Sequence, residues 1–315
     1  MLEVRVKRKL KGFTLDVGFA IDHEILAILG PSGSGKTMTL QCIAGLLRPD
    51  EGFIKVDEKV LLDSAAGVHI PTQSRKVGFV FQNYALFPHL SVYQNVSYGI
   101  RYLPVKEVKS SVYDLLEKMN IQRLADRYPR QLSAGQQQRV AVARALAPEP
   151  EVLLLDEPFS ALDSMVKERL QLELQNVQRF YKGYILFVTH DLAEGYKLSS
   201  KIAVFESGRI VQQDDKEKVV SCPCNHTVAR LVGFKNLMEG TVIALENQMA
   251  VIQVPDLGGS LKACLTQNQN LSLNQRVTVG IRPENIQVMN QAGENTFACT
   301  LDRAVEGITA TNCYF

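Results

Sequence analysis

GPSGSGKT, Gly30 to Thr37, sits between the short apolar run EILAIL and the apolar-rich segment MTLQCIAGLL. The first run reads as a strand, Glu24 to Leu29. The residues from Lys36 to Leu47 read as a helix, closed by Pro49 and Gly52 beyond it. The intervening loop fits G-x-x-x-x-G-K-[ST]. In that pattern the loop of Gly30, Pro31, Ser32, Gly33, Ser34 and Gly35 closes around phosphate oxygens, every residue but Pro31 having a backbone N–H to donate, Lys36 reaches the β/γ-phosphates and the Thr37 hydroxyl ligates Mg²⁺. The helix that follows points its own N-terminal N–H groups at the same anion. Strand, phosphate loop and helix in this order place the chain in the α/β class with a site for a nucleotide and Mg²⁺.

Upstream of the loop, Leu2, Val4 and Val6, and then Phe13, Leu15, Val17, Phe19 and Ile21, alternate with mostly polar residues. This is the period of half-buried strands, so an antiparallel β layer is expected to open the chain. Downstream, Val77 to Phe81 reads as a strand ending at Gln82. Helical patterns over Ser91 to Arg101, Val105 to Met119 and Gln136 to Ala147, broken by Pro88, Pro104, Pro129 and Pro148, predict a helical insert over 83–150. VLLL, Val152 to Leu155, and ILFV, Ile185 to Val188, are continuous apolar runs, as central parallel strands buried on both faces must be.

Composition shifts near Asn236. Beyond it, TVIA, AVIQV and VTVGI are separated by DLGG, an Asn/Gln-rich turn and Pro283, which predicts a second, all-β domain of small-barrel type. The expected domains are therefore 1–235 and 236–315. FACTLDRAVEG loosely echoes LMEGTVIALEN, and the chain stops within what would be a second β unit, so the barrel is expected to be incomplete. At 315 residues, two domains fit the length, and the 46% apolar fraction can fill their cores. No uncharged apolar stretch of 18 residues exists to cross a bilayer, and the N-terminus lacks the apolar block of a signal peptide, so a soluble chain held in the cytoplasm is expected. The net charge of +2 gives no case for nucleic acid. Six cysteines at 42, 222, 224, 264, 299 and 313 form neither a disulfide framework nor a zinc pattern.

Asp156 closes the run VLLL at the C-terminal end of a strand, where parallel α/β sheets gather their ligands, and would hold Mg²⁺ directly or through water. Glu157 follows it. Successive residues of an extended segment point apart, so one carboxylate can face the metal and the next the γ-phosphate, which makes Glu157 the candidate general base. LSAGQ, Leu132 to Gln136, opens a helix with Ser133 as N-cap and presents further N–H groups to an anion.

With GPSGSGKT, LSAGQQQR and VLLLDEP in this order, the chain resembles the ATP-binding cassette (ABC) ATPases over nearly its whole length. The resemblance implies an ATPase that works as a homodimer. Asp156 and Glu157 correspond to the family's magnesium and base pair, and His190 in FVTHD to its switch histidine. Gln82 in FVFQNYALFPHL corresponds to the loop glutamine that contacts magnesium and water. Ser133, Ala134, Gly135 and Gln136 would reach the nucleotide of the opposite subunit, and Asp163 in SALD would lie at the loop that crosses the dimer. The family form is LSGGQ. Should the glycine that Ala134 replaces need a positive φ, the substitution would cost about 1 kcal/mol. The usual adenine-stacking aromatic is replaced by Leu10 at the aligned position, with Phe13 the nearest aromatic.

Two features point to importers within the family. NYALFPHLSVYQNVSYGI resembles the segment that grooves a permease helix, and TVGIRPENIQV resembles the regulatory (TOBE-like) barrel of anion, sugar and polyamine importers. The expected partners are transmembrane permease subunits and, indirectly, an extracytoplasmic substrate-binding protein, with the chain peripheral on the cytoplasmic face of the membrane. The short N-terminal run and LVGFKNLMEGTV most resemble molybdate or tungstate ATPases; sulfate, ferric iron, sugar and polyamine importers are the alternatives.

Overall fold

A computed structural model describes residues 1–160, 164–246, 249–265, 271–291, 293–306 and 311–314. It divides into two compact units, Met1–Leu231 and Val232–Phe315.

The first unit opens with β1 (Leu2–Leu10) and β2 (Phe13–Ile21), followed by β3 (Ile25–Leu29), α1 (Lys36–Ala44), β4 (Glu51–Val56), β5 (Lys59–Asp63), β6 (Val68–His69) and β7 (Val77–Val80). The helices α2 (Val92–Ser97), α3 (Val105–Lys118) and α4 (Ala134–Leu146) come next. After them the chain alternates: β8 (Val152–Asp156), α5 (Ser164–Phe180), β9 (Tyr184–Val188), α6 (Leu192–Leu198), β10 (Lys201–Glu206), β11 (Arg209–Asp215), α7 (Lys216–Ser221) and α8 (His226–Leu231). The alternating N-terminal pattern becomes an antiparallel sheet in the order β2-β1-β4-β5-β6. Val4 faces Phe19 and Ile54 across its two ladders, which stacks the apolar residues on one face. The continuous apolar runs form the second sheet, β11-β10-β3-β9-β8-β7. Its ladders are parallel from β10 to β7, and β11 is antiparallel at the edge. Every residue of β8 and β9 is buried, as strands covered on both faces require.

The two sheets share one core. Leu2, Val4, Leu15 and Val17 from the antiparallel sheet join Leu26, Ile28, Leu154, Leu186 and Val188 from the parallel one. Leu40, Cys42, Ile43 and Ala44 of α1 complete it. Each fully buried leucine contributes about 1.5–3 kcal/mol, so α1 is held chiefly by packing. It is shorter than expected, ending at Ala44. Gly45 takes φ +79° and caps it, its N–H donating to the Cys42 carbonyl. Buried Arg75 closes the same end, with Nη1 donating to the carbonyls of Cys42 and Ile43 at 2.9 Å each and Nε donating to Ile70 O at 2.8 Å. Its guanidinium thus faces the negative end of the helix whose other end is the phosphate loop.

In the helical insert, α3 buries Val108, Val112, Leu115 and Leu116, one stripe at helical spacing. α2 and α4 both begin with a complete capping box, from Ser91 with Gln94 and from Ser133 with Gln136.

In the second unit, β12 (Asn236–Glu246), β13 (Met249–Val254), β14 (Gly259–Cys264) and β15 (Arg276–Ile281) form an antiparallel sheet in the order β14-β13-β12-β15. A separate ladder pairs β16 (Arg303–Glu306) with β17 (Thr311–Tyr314). The unit has its own core of Val242, Ala250, Ile252, Val254, Leu261 and Val279. Among the described residues no helix is long and apolar enough to cross a membrane.

Candidate nucleotide site

The parallel sheet gathers the expected site at one edge. The 30–37 loop leaves the C-terminal end of β3, His190 lies just beyond β9, Asp156 and Glu157 end β8, and Gln82 lies just beyond β7. Because these four strands are parallel neighbours in the order β3-β9-β8-β7, residues distant in sequence emerge side by side.

The loop is shaped by close approach. Gly30 has φ +150°, and a Cβ there would lie 2.3 Å from the Phe205 carbonyl oxygen of the adjacent strand. Gly35, φ +100°, would drive a Cβ to 2.6 Å from Leu15 Cδ1. No other residue fits either place. Pro31, Ser32 and Gly33 form the exposed crest, whereas Ser34, Gly35 and Lys36 are buried. No side chain caps the N-terminus of α1, which leaves its first-turn N–H groups for an anion. The Lys36 ammonium donates to the carbonyls of Gly30 and Pro31 at 2.9 Å each. Burial lowers its pKa, and the nearby Glu157 and Asp156 carboxylates oppose that shift.

Thr37 Oγ1 donates to Asp156 Oδ1 at 2.8 Å. Burial pushes the Asp156 carboxyl above its ordinary value, the Thr37 hydrogen bond pulls it down, Glu157 adds to the rise and Lys36 opposes it. A hydroxyl and a carboxylate meeting at the phosphate end of a loop are hard oxygen donors, the set that suits Mg²⁺ when phosphates and water supply the other ligands. Among the described residues no cluster of three or more His, Cys, Asp or Glu forms an all-protein metal site.

Glu157 differs from expectation in its backbone. The chain is no longer extended there: Glu157 has φ +44°, a conformation that costs a non-glycine residue about 1 kcal/mol. The turn is held by Glu157 N–H donating to the Val188 carbonyl at 3.1 Å and by Ser160 Oγ donating to the Glu157 carbonyl at 3.0 Å. This twist, and not simple strand alternation, separates the two carboxylates. Asp156 turns to Thr37, while Glu157 Oε2 accepts from Gln82 Nε2 at 3.1 Å and lies 3.8 Å from His190 Nδ1. Gln82, Glu157 and His190 therefore meet, with Gln82 and His190 both exposed and the His190 side chain 64% accessible. Strain at such a position is characteristic of functional sites.

The signature segment stands apart as the start of α4. Ser133 Oγ accepts from Gln136 N–H at 3.4 Å, and Gln136 Oε1 accepts from Ser133 N–H at 3.0 Å. Ser133 and Ala134 are exposed. Ala134 is the first residue of the helix and is not among the residues of positive φ, so the contingent cost of replacing glycine does not arise. No described hydrogen bond joins 133–136 to the 30–37 loop of the same chain. Asp163 lies outside the described residues. Phe13 is half-buried and packs onto the core, as its alternation with Leu15 indicates, with its ring Cζ 3.3 Å from the Cβ position of Gly35.

Two supporting residues were not legible in the sequence. Tyr84 and Ala85, just past Gln82, have φ +62° and +46°. Arg144 of α4 grips this turn, donating from Nη2 to Tyr84 O at 2.8 Å and from Nη1 to Ala85 O at 2.7 Å. An arginine inside the apolar run VAVARAL is the one local signal of it. Lys167 of α5 pairs with Asp191 and Glu194, next to His190, and nothing in its own neighbourhood announces that role.

A family model described as ABC transporter matches residues 16–160. The chain is 39% identical, over 95% of its own length and 79% of the relative's, to the spermidine/putrescine import ATP-binding protein PotA of Rubrobacter xylanophilus. It is 40% identical, over 89% of itself and 76% of the relative, to the sulfate/thiosulfate import ATP-binding protein CysA 2 of Shewanella oneidensis. A solved ATP-binding cassette, dimeric and bound to ADP and Pi in a post-hydrolysis state, is 31% identical and superposes with a TM-score of 0.58 over 69% of this chain and 99% of its own. A second, cbiO1 from Clostridium perfringens, is 32% identical, with a TM-score of 0.62 over 74% of this chain and 94% of that one.

Proposed function

Since the chain belongs to the ATP-binding subunits of ABC importers, we propose that it drives uptake of a polyamine by hydrolysing ATP at the site built from Lys36, Thr37, Gln82, Asp156, Glu157 and His190. The observation that carries this reading is the identity of 39% with a spermidine/putrescine import subunit, sustained over 95% of the chain and so through the second unit as well as the cassette. The relatives reported above are named for polyamine and sulfate import, so polyamine, and after it sulfate, is better supported than the expected molybdate or tungstate.

The residues divide the work. Lys36 and the N–H groups of 30–37 offset phosphate charge, and Phe13, whose ring edge lies beside Gly35, is the candidate aromatic for the base. Thr37 and Asp156 would hold Mg²⁺, which when bound supplies positive charge against the β/γ-phosphates. Glu157 accepts a proton from the attacking water and orients it, flanked by the Gln82 amide and the His190 ring. Ser133, Ala134, Gly135 and Gln136 are donors for the nucleotide held by a second copy, with Asp163 at the crossing between copies. Two such subunits sit against permease subunits on the cytoplasmic face of the membrane, fed by an extracytoplasmic substrate-binding protein.

The test is uptake. Cells lacking this chain should lose accumulation of labelled spermidine or putrescine, and a Lys36→Ala copy should fail to restore it. Unchanged polyamine uptake with loss of labelled sulfate uptake would move the assignment to sulfate. Loss of molybdate uptake alone would return it to oxyanions of that kind.

A further inference from the structure

His190 does little to fix itself. Its side chain is 64% accessible, and its described polar neighbour is the Glu157 carboxylate at 3.8 Å. Its position is set by the residues on either side. Thr189 N–H donates to the Ile28 carbonyl at 3.1 Å, and Thr189 Oγ1 donates to the Glu194 carboxylate. Asp191 N–H returns to Thr189 Oγ1 at 3.1 Å, while Asp191 Oδ1 caps α6 by accepting from Ala193 N–H at 2.8 Å and Glu194 N–H at 3.4 Å. Two carboxylates thus converge one turn from the histidine, and Glu194 is only 5% exposed. One cation answers both: Lys167 Nζ lies 2.7 Å from Asp191 Oδ2 and 2.7 Å from Glu194 Oε1. Lys167 belongs to α5, which begins at Ser164, directly after Asp163 in the chain. Burial alone would lower the Lys167 pKa, but its hydrogen bonds to Asp191 and Glu194 carry it above the ordinary value, so the lysine is charged at neutral pH.

We propose that Lys167 is a positioning residue for hydrolysis: by clamping Asp191 and Glu194 onto α5 it fixes the 189–194 segment and holds the His190 ring beside Glu157. A loose 189–194 segment would let the exposed ring leave the reacting centre without disturbing the loop that binds phosphate. The lysine would therefore act on turnover and not on nucleotide affinity. The inference rests on the site reading given above.

The experiment compares the full chain with Lys167→Met, Lys167→Arg and the double variant Lys167→Met/Glu194→Gln, measuring ATPase kcat and KM and amide hydrogen exchange. Lys167→Met is expected to lower kcat about tenfold or more while KM for ATP stays within about twofold, and Lys167→Arg to restore at least about half of the rate. Exchange across 189–194 should quicken about tenfold in Lys167→Met. Removing the lysine leaves Glu194 buried without its cation, which can impair folding; the double variant removes that charge and should fold and still turn over slowly. A wild-type kcat in the double variant, or unchanged exchange at 189–194 in Lys167→Met, would overturn the role given to Lys167. Full activity in His190→Ala would overturn the site reading instead, and the exchange result would show which of the two had failed.

Discussion

Glu157 stands where two carboxylates of consecutive residues have been turned to different tasks. Its amide analogue retains shape and can still hydrogen-bond to Gln82, but it cannot take a proton from water. Glu157→Gln is therefore expected to bind Mg-ATP with near-native affinity, to lose turnover by a factor of about 10² or more, and to accumulate as an ATP-bound dimer. Calorimetry, ATPase rate and gel filtration with ATP check the three parts, and near-native turnover would remove Glu157 from the role of base. Cys42 shows the opposite use of burial. Packed in α1, its thiol is pushed up to about 11 by desolvation, against the pull of Arg8 and Arg75. Iodoacetamide at pH 8 should thus label the exposed Cys224, Cys264 and Cys299 and spare Cys42 until the chain unfolds, as mass spectrometry would show. A folded-state pKa above the unfolded value stabilises fully below the unfolded pKa and is lost as pH rises through the folded one. The thermal midpoint should accordingly fall between pH 9 and about 11, and less steeply in Cys42→Ala.

At the scale of elements, α4 does more than carry the signature. Its N-terminal end exposes Ser133 and Ala134, and its last turn sends Arg144 back to the strained Tyr84–Ala85 turn beyond Gln82. A guanidinium reaches the two carbonyls from separate nitrogens of a rigid fork, whereas an ammonium is a single point on a flexible stem and loses more freedom in holding both. Arg144→Lys should consequently lower stability by about 1–2 kcal/mol in urea unfolding and reduce turnover while leaving α4 helical by circular dichroism. Unchanged stability and rate would mean that the turn needs no clamp. The same helix explains Ala134. At an ordinary helical position alanine suits the backbone better than glycine, so the departure from LSGGQ carries no backbone penalty.

For the whole molecule, the separation of the signature segment from the phosphate loop of its own chain has a direct consequence: each site would need two copies. A Ser133→Arg chain mixed with a Lys36→Ala chain should regain activity, because the mixed dimer contains one site free of both defects. Random assembly of a symmetric dimer yields up to about a quarter of the native site number. Each variant alone should be inactive, and failure of well-folded mixtures to recover any activity would argue against composite sites.

The sequence by itself determined the class of fold and most of the site. Strand period, apolar runs and the loop GPSGSGKT mark β1 to β3, α1, β8 and β9, and strand-end position alone brings Asp156 and Glu157 forward, because parallel sheets present their ligands at C-terminal ends. Gln82, His190, Ser133 and Gly135 needed the resemblance to a family, since a lone glutamine or histidine carries no local mark of its role. Only the tertiary structure decided how these groups are held. The left-handed turn at Glu157, the fork of Arg144 on Tyr84 and Ala85, and the clamp of Lys167 on Asp191 and Glu194 join residues up to some sixty positions apart. Such contacts depend on which strands lie side by side and where a guanidinium or ammonium escapes solvent. Periodicity sets the face that a residue turns inward, but the partner it meets there is fixed by the packing of the sheet.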